Sequence, residues 1–180
     1  MSILKRMSRP RLRKTAIHEA GHAVIAFLLN VPFDSVSILP DNHSLGRVVL
    51  SGHPDCANPQ NGSYDKRRAL KWLDKRTCIS LAGQISERLD QGGKPRAYSL
   101  ASDNGSVADY ALEIHQGCEA TASAWINSRY VHTETLLRRE AVWRAVSTLA
   151  ETLISRRKLQ RGDVIAVIQA SGLRRNALFG

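Results

Sequence analysis

Between Arg11 and Asn30 the apolar residues Ala16, Ile17, Ala20, Ala23, Val24, Phe27 and Leu28 recur at the period of a helix, and Asn30 with Pro32 supplies a stop. This predicts a largely buried helix. A chain of 180 residues with 43% hydrophobic content is long enough to bury one good core around it. Within that helix, in the run TAIHEAGHAV from Thr15 to Val24, stand His18, Glu19 and His22. Polar side chains in a buried face are costly unless something compensates them.

One globular domain, residues 11–175, is therefore expected behind a basic N-terminal tail, residues 1–10. The longest apolar run, Ala23 to Leu29, is far short of the roughly 20 residues that cross a bilayer, and no signal-peptide core follows the basic start. A soluble, cytoplasmic chain without a membrane span is expected. Cys56, Cys78 and Cys118 are odd in number and widely separated, which excludes a disulfide framework or a Cys-x-x-Cys knuckle. The formal net charge of +10 keeps nucleic acid, acidic lipid and acidic protein in view. Its basic residues fall in separate patches, at Lys5 to Lys14, Lys66 to Arg76 and Arg156 to Arg161, which reads as solvated helix faces plus a tail.

The rest of the chain is mostly helical. DSVSILP and LGRVVLSG flank a turn-rich DNHS and predict an antiparallel β pair over Ser35 to Ser51. The breaker-rich GHPDCANPQNGS is a loop. Helices are expected from Tyr64 to about Leu89, ended by GGKP, from Val107 to His115, from Ala120 to about Lys158 in one or two pieces, and from Asp163 to Ala170. The fold class is mainly α (α+β), a helical domain with a small antiparallel β element beside the first helix.

His-Glu-x-x-His on a helix sets two imidazoles one turn apart and facing the same way, within reach of one zinc at about 2.0–2.1 Å. The adjacent glutamate then faces a water on the metal and can take its proton. The plainer alternative is a pair of core histidines satisfied by neighbouring groups. A catalytic zinc needs a third protein ligand, and no third histidine follows closely because Leu28 and Leu29 occupy that region. The third ligand has to be a distant Asp, Glu or His. His43, His53, His115 and His132 lack spacing partners and read as surface or packing residues.

TAIHEAGHAV, the SVSILP and SLGRV pair, SLAGQISERL, SDNGSVADYALEI and the closing LAETLISRRKLQRGDVIAVI occur in an order and spacing that resemble the peptidase domain of the FtsH-type ATP-dependent zinc proteases. The similarity covers most of residues 11 to 170 and implies a zincin-like helical peptidase. It also implies one zinc per chain, held by His18, His22 and an aspartate at the start of a later helix. Asp103 and Asn104 both fall there. Val107, Tyr110, Ala111 and Ile114 lie in helical phase with Asp103, and a carboxylate is the better zinc ligand, so Asp103 is chosen. Glu87 is the rival, as an alternative ligand or as the acceptor of a hydrogen bond from a metal-bound imidazole, and the second role is preferred; Asp109 is an outsider. Gly83 is expected to permit close helix contact.

The resemblance further implies a zinc metalloendopeptidase that cleaves unfolded proteins or peptides, with Glu19 as general base and then as proton donor to the leaving amine. Substrate would lie extended along the edge of the Ser35 to Ser51 pair. Within these residues there is no Gly-x-x-x-x-Gly-Lys-Ser/Thr phosphate loop, so a separate ATPase acting in trans is the expected source of any unfolding motor. Ring-like self-association is implied by the resemblance. The alternative is a catalytically silent zinc-containing regulatory module that uses its basic surface for nucleic acid or an acidic protein.

Overall fold

The computed structural model describes residues 8–40, 45–51, 65–93 and 105–174. Helix α1 runs Arg9–Leu28, with Pro10 in its first turn, where a missing N–H costs nothing. It therefore starts two residues before the apolar stripe suggests. Its end is a Schellman motif: Asn30 takes φ +54°, its N–H bonds to the Phe27 carbonyl, and Val31 N–H bonds to that of Ala26. Asparagine tolerates this left-handed geometry better than most residues. From Ala16 to Leu28 almost every apolar side chain of α1 is buried.

Strand β1, Phe33–Ser37, pairs antiparallel with β2, Arg47–Leu50, in the register Val36 to Val48 and Ser37 to Arg47. Helix α2, Lys66–Asp90, starts on Asp65, whose side chain accepts from the N–H groups of Arg67 and Arg68. It ends at Gly92, which has φ +69°, in the predicted glycine pair. Helices α3, Gly105–Ile114, α4, Glu119–Leu137, and α5, Glu140–Arg156, follow. Val107 and Ala111 of α3 are fully buried, as its phase requires.

One expectation fails at the C-terminal end. The chain does not continue as helix to Lys158: Arg157 takes φ +68° and the next residues form a third strand, β3, Lys158–Gln160, antiparallel to β1. The last helix, α6, Arg161–Ala170, begins directly after it. A three-residue strand with one apolar residue, Leu159, has no periodicity to read, and its stability comes from pairing with Val36 and from Ile38 N–H donating to the Arg157 carbonyl. Among the described residues the sheet order is β2-β1-β3, with β2 at an edge.

The architecture is mainly α with a small antiparallel sheet. Helix α1 is the central element, packed by α2, α5 and the sheet. Helix α2 runs antiparallel to it, as successive contacts from Arg13–Asp90 through His18–Glu87 to His22–Ile79 show. Among the described residues no helix is long and apolar enough to cross a membrane.

Candidate metal centre

Helices α1 and α2 build the site from two facing stripes. His18 and His22 stand one turn apart on α1, and opposite them α2 presents Ile79, Gly83 and Glu87, each one turn from the next. His18 Nδ1 lies 2.8 Å from Glu87 Oε1, and His22 Nδ1 lies 2.5 Å from the Ile79 carbonyl oxygen. An unprotonated carboxylate and a carbonyl can only accept, so Nδ1 carries a proton in both rings, and in a neutral imidazole so bonded the lone pair sits on Nε2. The rings meet edge to face, with centroids 4.6 Å apart. Both Nε2 atoms converge on Gly83, where an added Cβ would lie 2.5 Å from each.

The close approach of the helices has its own residue. A Cβ on Gly21 would lie 2.9 Å from the Ala82 carbonyl oxygen and would overlap the Ser86 hydroxyl. Any other residue at the fourth position of His-Glu-Ala-Gly-His would force α1 and α2 apart.

Burial sets the protonation of the site. His22 is pushed down to about 3 by desolvation, with the neighbouring His18 and Arg76 adding to the shift and the Ile79 carbonyl opposing it. It is therefore neutral at ordinary pH, the form that binds metals. Glu19, only 6% exposed, is raised to about 7 by desolvation, against the pull of His18, a hydrogen bond from Val48 N–H and Arg47. Glu87 is also desolvated, but its bonds to His18 and Lys14 outweigh burial and hold its carboxyl below the usual range. Lys14 Nζ is 3.3 Å from Glu87 Oε2, leaving Oε1 for His18.

Glu19 lies under the start of β2. A Cβ on Gly46 would come within 2.8 Å of Glu19 Oε1, so glycine there makes room for the carboxylate. The Val48 N–H that reaches Glu19 is turned away from β1, which places the carboxylate at the outer edge of the sheet.

No model of a known protein family matches the chain. Its curated relatives are proteases. The chain is 31% identical over 93 residues to the ATP-dependent zinc metalloprotease YME1L1 of Mus musculus, 49% of this chain and 12% of that protein. It is 32% identical over 88 residues to the ATP-dependent zinc metalloprotease FtsH 2 of Methylacidiphilum infernorum, 48% of this chain and 12% of that one. To the ATP-dependent zinc metalloprotease YME1 homolog of Caenorhabditis elegans it is 27% identical over 106 residues, 57% of this chain and 13% of that protein. The chain thus spans about an eighth of the length of these relatives.

The two imidazoles suit zinc as donors, since their Nε2 atoms lie together beside Gly83 while their Nδ1 atoms are engaged by α2. Asp103 and Asn104 lie outside the described residues, as do His43, His53 and Cys56. Among the described residues no third His, Cys, Asp or Glu joins the pair. Asp109 is exposed on α3. Of the remaining histidines, His115 packs against Trp125 and His132 is exposed. Cys78 is a buried and Cys118 an exposed free thiol. Lys66, Arg67, Arg68 and Lys71 are exposed at the start of α2, and Arg156, Arg157, Lys158 and Arg161 are exposed around β3.

Two participants have no signal in the sequence, the Ile79 carbonyl and the Gly46–Val48 backbone over Glu19. Gly83, expected to permit close helix contact, is where α2 meets the two imidazoles of α1.

Proposed function

We propose that the chain is a zinc-dependent endopeptidase domain in which His18 Nε2, His22 Nε2 and Asp103 hold the metal, Glu87 orients His18, and Glu19 is the general base. The observation that carries this is the meeting of the two Nε2 atoms at one point beside Gly83, with both Nδ1 atoms tied to α2, next to a buried carboxylate. The names of the relatives support the same chemistry.

Zinc, when bound, supplies a Lewis acid for the scissile carbonyl and acidifies water. Glu87 accepts from His18 Nδ1, fixing that ring and strengthening Nε2 as a donor, while Ile79 does the same for His22. Glu19 takes a proton from the attacking water on its carboxylate and returns it to the leaving nitrogen as the C–N bond breaks. In the metal-free chain desolvation raises this carboxyl to about 7, and a bound dication would bring it down again. An unfolded segment pairing with the outer edge of β2 would run past Glu19, and backbone pairing reads little sequence. An ATP-driven unfolding step would come from outside these residues.

The test compares zinc content and cleavage of unfolded casein for the parent chain, Glu19→Gln, Asp103→Asn and Glu87→Gln. Glu19→Gln is expected to keep zinc and lose at least about a hundredfold in kcat. Asp103→Asn is expected to lose zinc and Glu87→Gln to weaken it by about tenfold or more. A parent that takes up no zinc overturns the proposal. Zinc uptake without cleavage replaces it with a non-catalytic zinc module, and zinc retained by Asp103→Asn but lost by Glu87→Gln exchanges the third ligand.

A further inference from the structure

We infer that Gly83 is a positioning residue of the metal centre: its missing side chain is the space that lets one ion reach Nε2 of both His18 and His22. The inference rests on the metal-binding function proposed above and adds a residue that is not a ligand.

Gly83 sits in the interior of α2, where glycine lowers helix stability relative to alanine. Its backbone is not in the left-handed region, unlike that of Gly92, so conformational freedom does not explain it. Space does. A Cβ would lie 2.5 Å from both Nε2 atoms and 2.7 Å from His18 Cδ2, well inside contact distance and close to the separation at which imidazole nitrogen binds zinc.

Neither ring is free to withdraw. His22 Nδ1 is bonded to Ile79 one turn before Gly83, and His18 Nδ1 is bonded to Glu87 one turn after it. The helices are held at this separation by Gly21 against Ala82 and Ser86. The stripe Ile79, Gly83, Glu87 thus combines an acceptor, a vacancy and an acceptor, and the vacancy lies against both Nε2 atoms. A methyl group at position 83 is expected to displace the Nε2 atoms from their common direction and to close the approach of an ion.

The experiment uses the full chain and zinc alone, with affinity measured by competition against a chromogenic chelator and folding by circular dichroism. Parent, Gly83→Ala and Gly162→Ala are compared; a Cβ at Gly162 meets nothing within 4 Å, so that variant is the control. The expected result is one zinc bound by parent and control, and a loss of about tenfold or more in affinity for Gly83→Ala with helical signal unchanged. Folded Gly83→Ala binding zinc as the parent does overturns the inference and leaves the proposed function standing. A parent that binds no zinc overturns the function instead. Should Gly83→Ala fail to fold, it is combined with His18→Ala and His22→Ala: restored folding locates the collision at the imidazoles and supports the inference, and continued failure overturns it.

Discussion

Each residue of the His-Glu-x-x-His run has two faces, and α2 or β2 occupies one of them. The Nδ1 sides of His18 and His22 are spent on Glu87 and Ile79, so only Nε2 is left for chemistry. Glu19 is held between Gly46 and the Val48 N–H in a dry position that raises its pKa to about 7. Its folded pKa exceeds the ordinary carboxylate value, so between about pH 4.5 and 7 the folded metal-free chain binds a proton that the unfolded chain has released. Stability therefore falls as pH rises through that window, and the penalty is complete above it. Glu19→Gln removes the penalty. In chelator-treated protein this variant is expected to be more stable than the parent by about 3 kcal/mol at pH 8, with the difference fading towards pH 4. Urea denaturation at the two pH values measures it; an equal difference at both would mean that Glu19 is not desolvated. At this scale the sequence was most informative about side chains. His18, Glu19 and His22 announce themselves by spacing, whereas a backbone carbonyl such as that of Ile79 belongs to every residue.

Local rules account for most of the elements. The Asn30 Schellman end of α1, the Asp65 cap of α2 and the Gly92 stop all follow from residues whose backbone preferences are strong. Asp65 also faces an unfavourable first turn, because Lys66, Arg67 and Arg68 put positive charge at the positive end of the helix dipole. Asp65→Ala is expected to destabilise the protein by about 1 kcal/mol, seen as a lower melting temperature, with zinc affinity unchanged because the site begins at Ile79. A fall in zinc affinity would instead tie the first turns of α2 to the metal centre. Strand β3 is the element that local rules did not reveal. Arg157 has no intrinsic preference for φ +68°, and Lys158, Leu159 and Gln160 are too few to show an alternation. They form a strand because β1 offers an edge and the core offers Leu159 a place.

For the whole molecule, the sheet links the C-terminal part of the chain to the element that covers Glu19: β3 pairs with β1, and β1 with β2. Leu159 is 2% exposed and sits opposite the fully buried Val36. Leu159→Ala is expected to cost about 3 kcal/mol by chemical denaturation, the range for a large-to-small change in a packed core. A cost below about 1 kcal/mol would mean that the sheet does not depend on its third strand. A second long-range tie joins α2 to α4, where Glu134, almost buried, bridges Arg88 at 2.7 Å and Arg138 at 2.6 Å. By itself the sequence determined the mainly helical class, the buried first helix, the β pair and the three polar residues of its motif, because periodicity and caps act over a few residues. The antiparallel crossing of α1 and α2 was decided only in three dimensions. There Ile79, Gly83 and Glu87 meet histidines some sixty residues away, because what joins them is close packing around Gly21 rather than any local pattern.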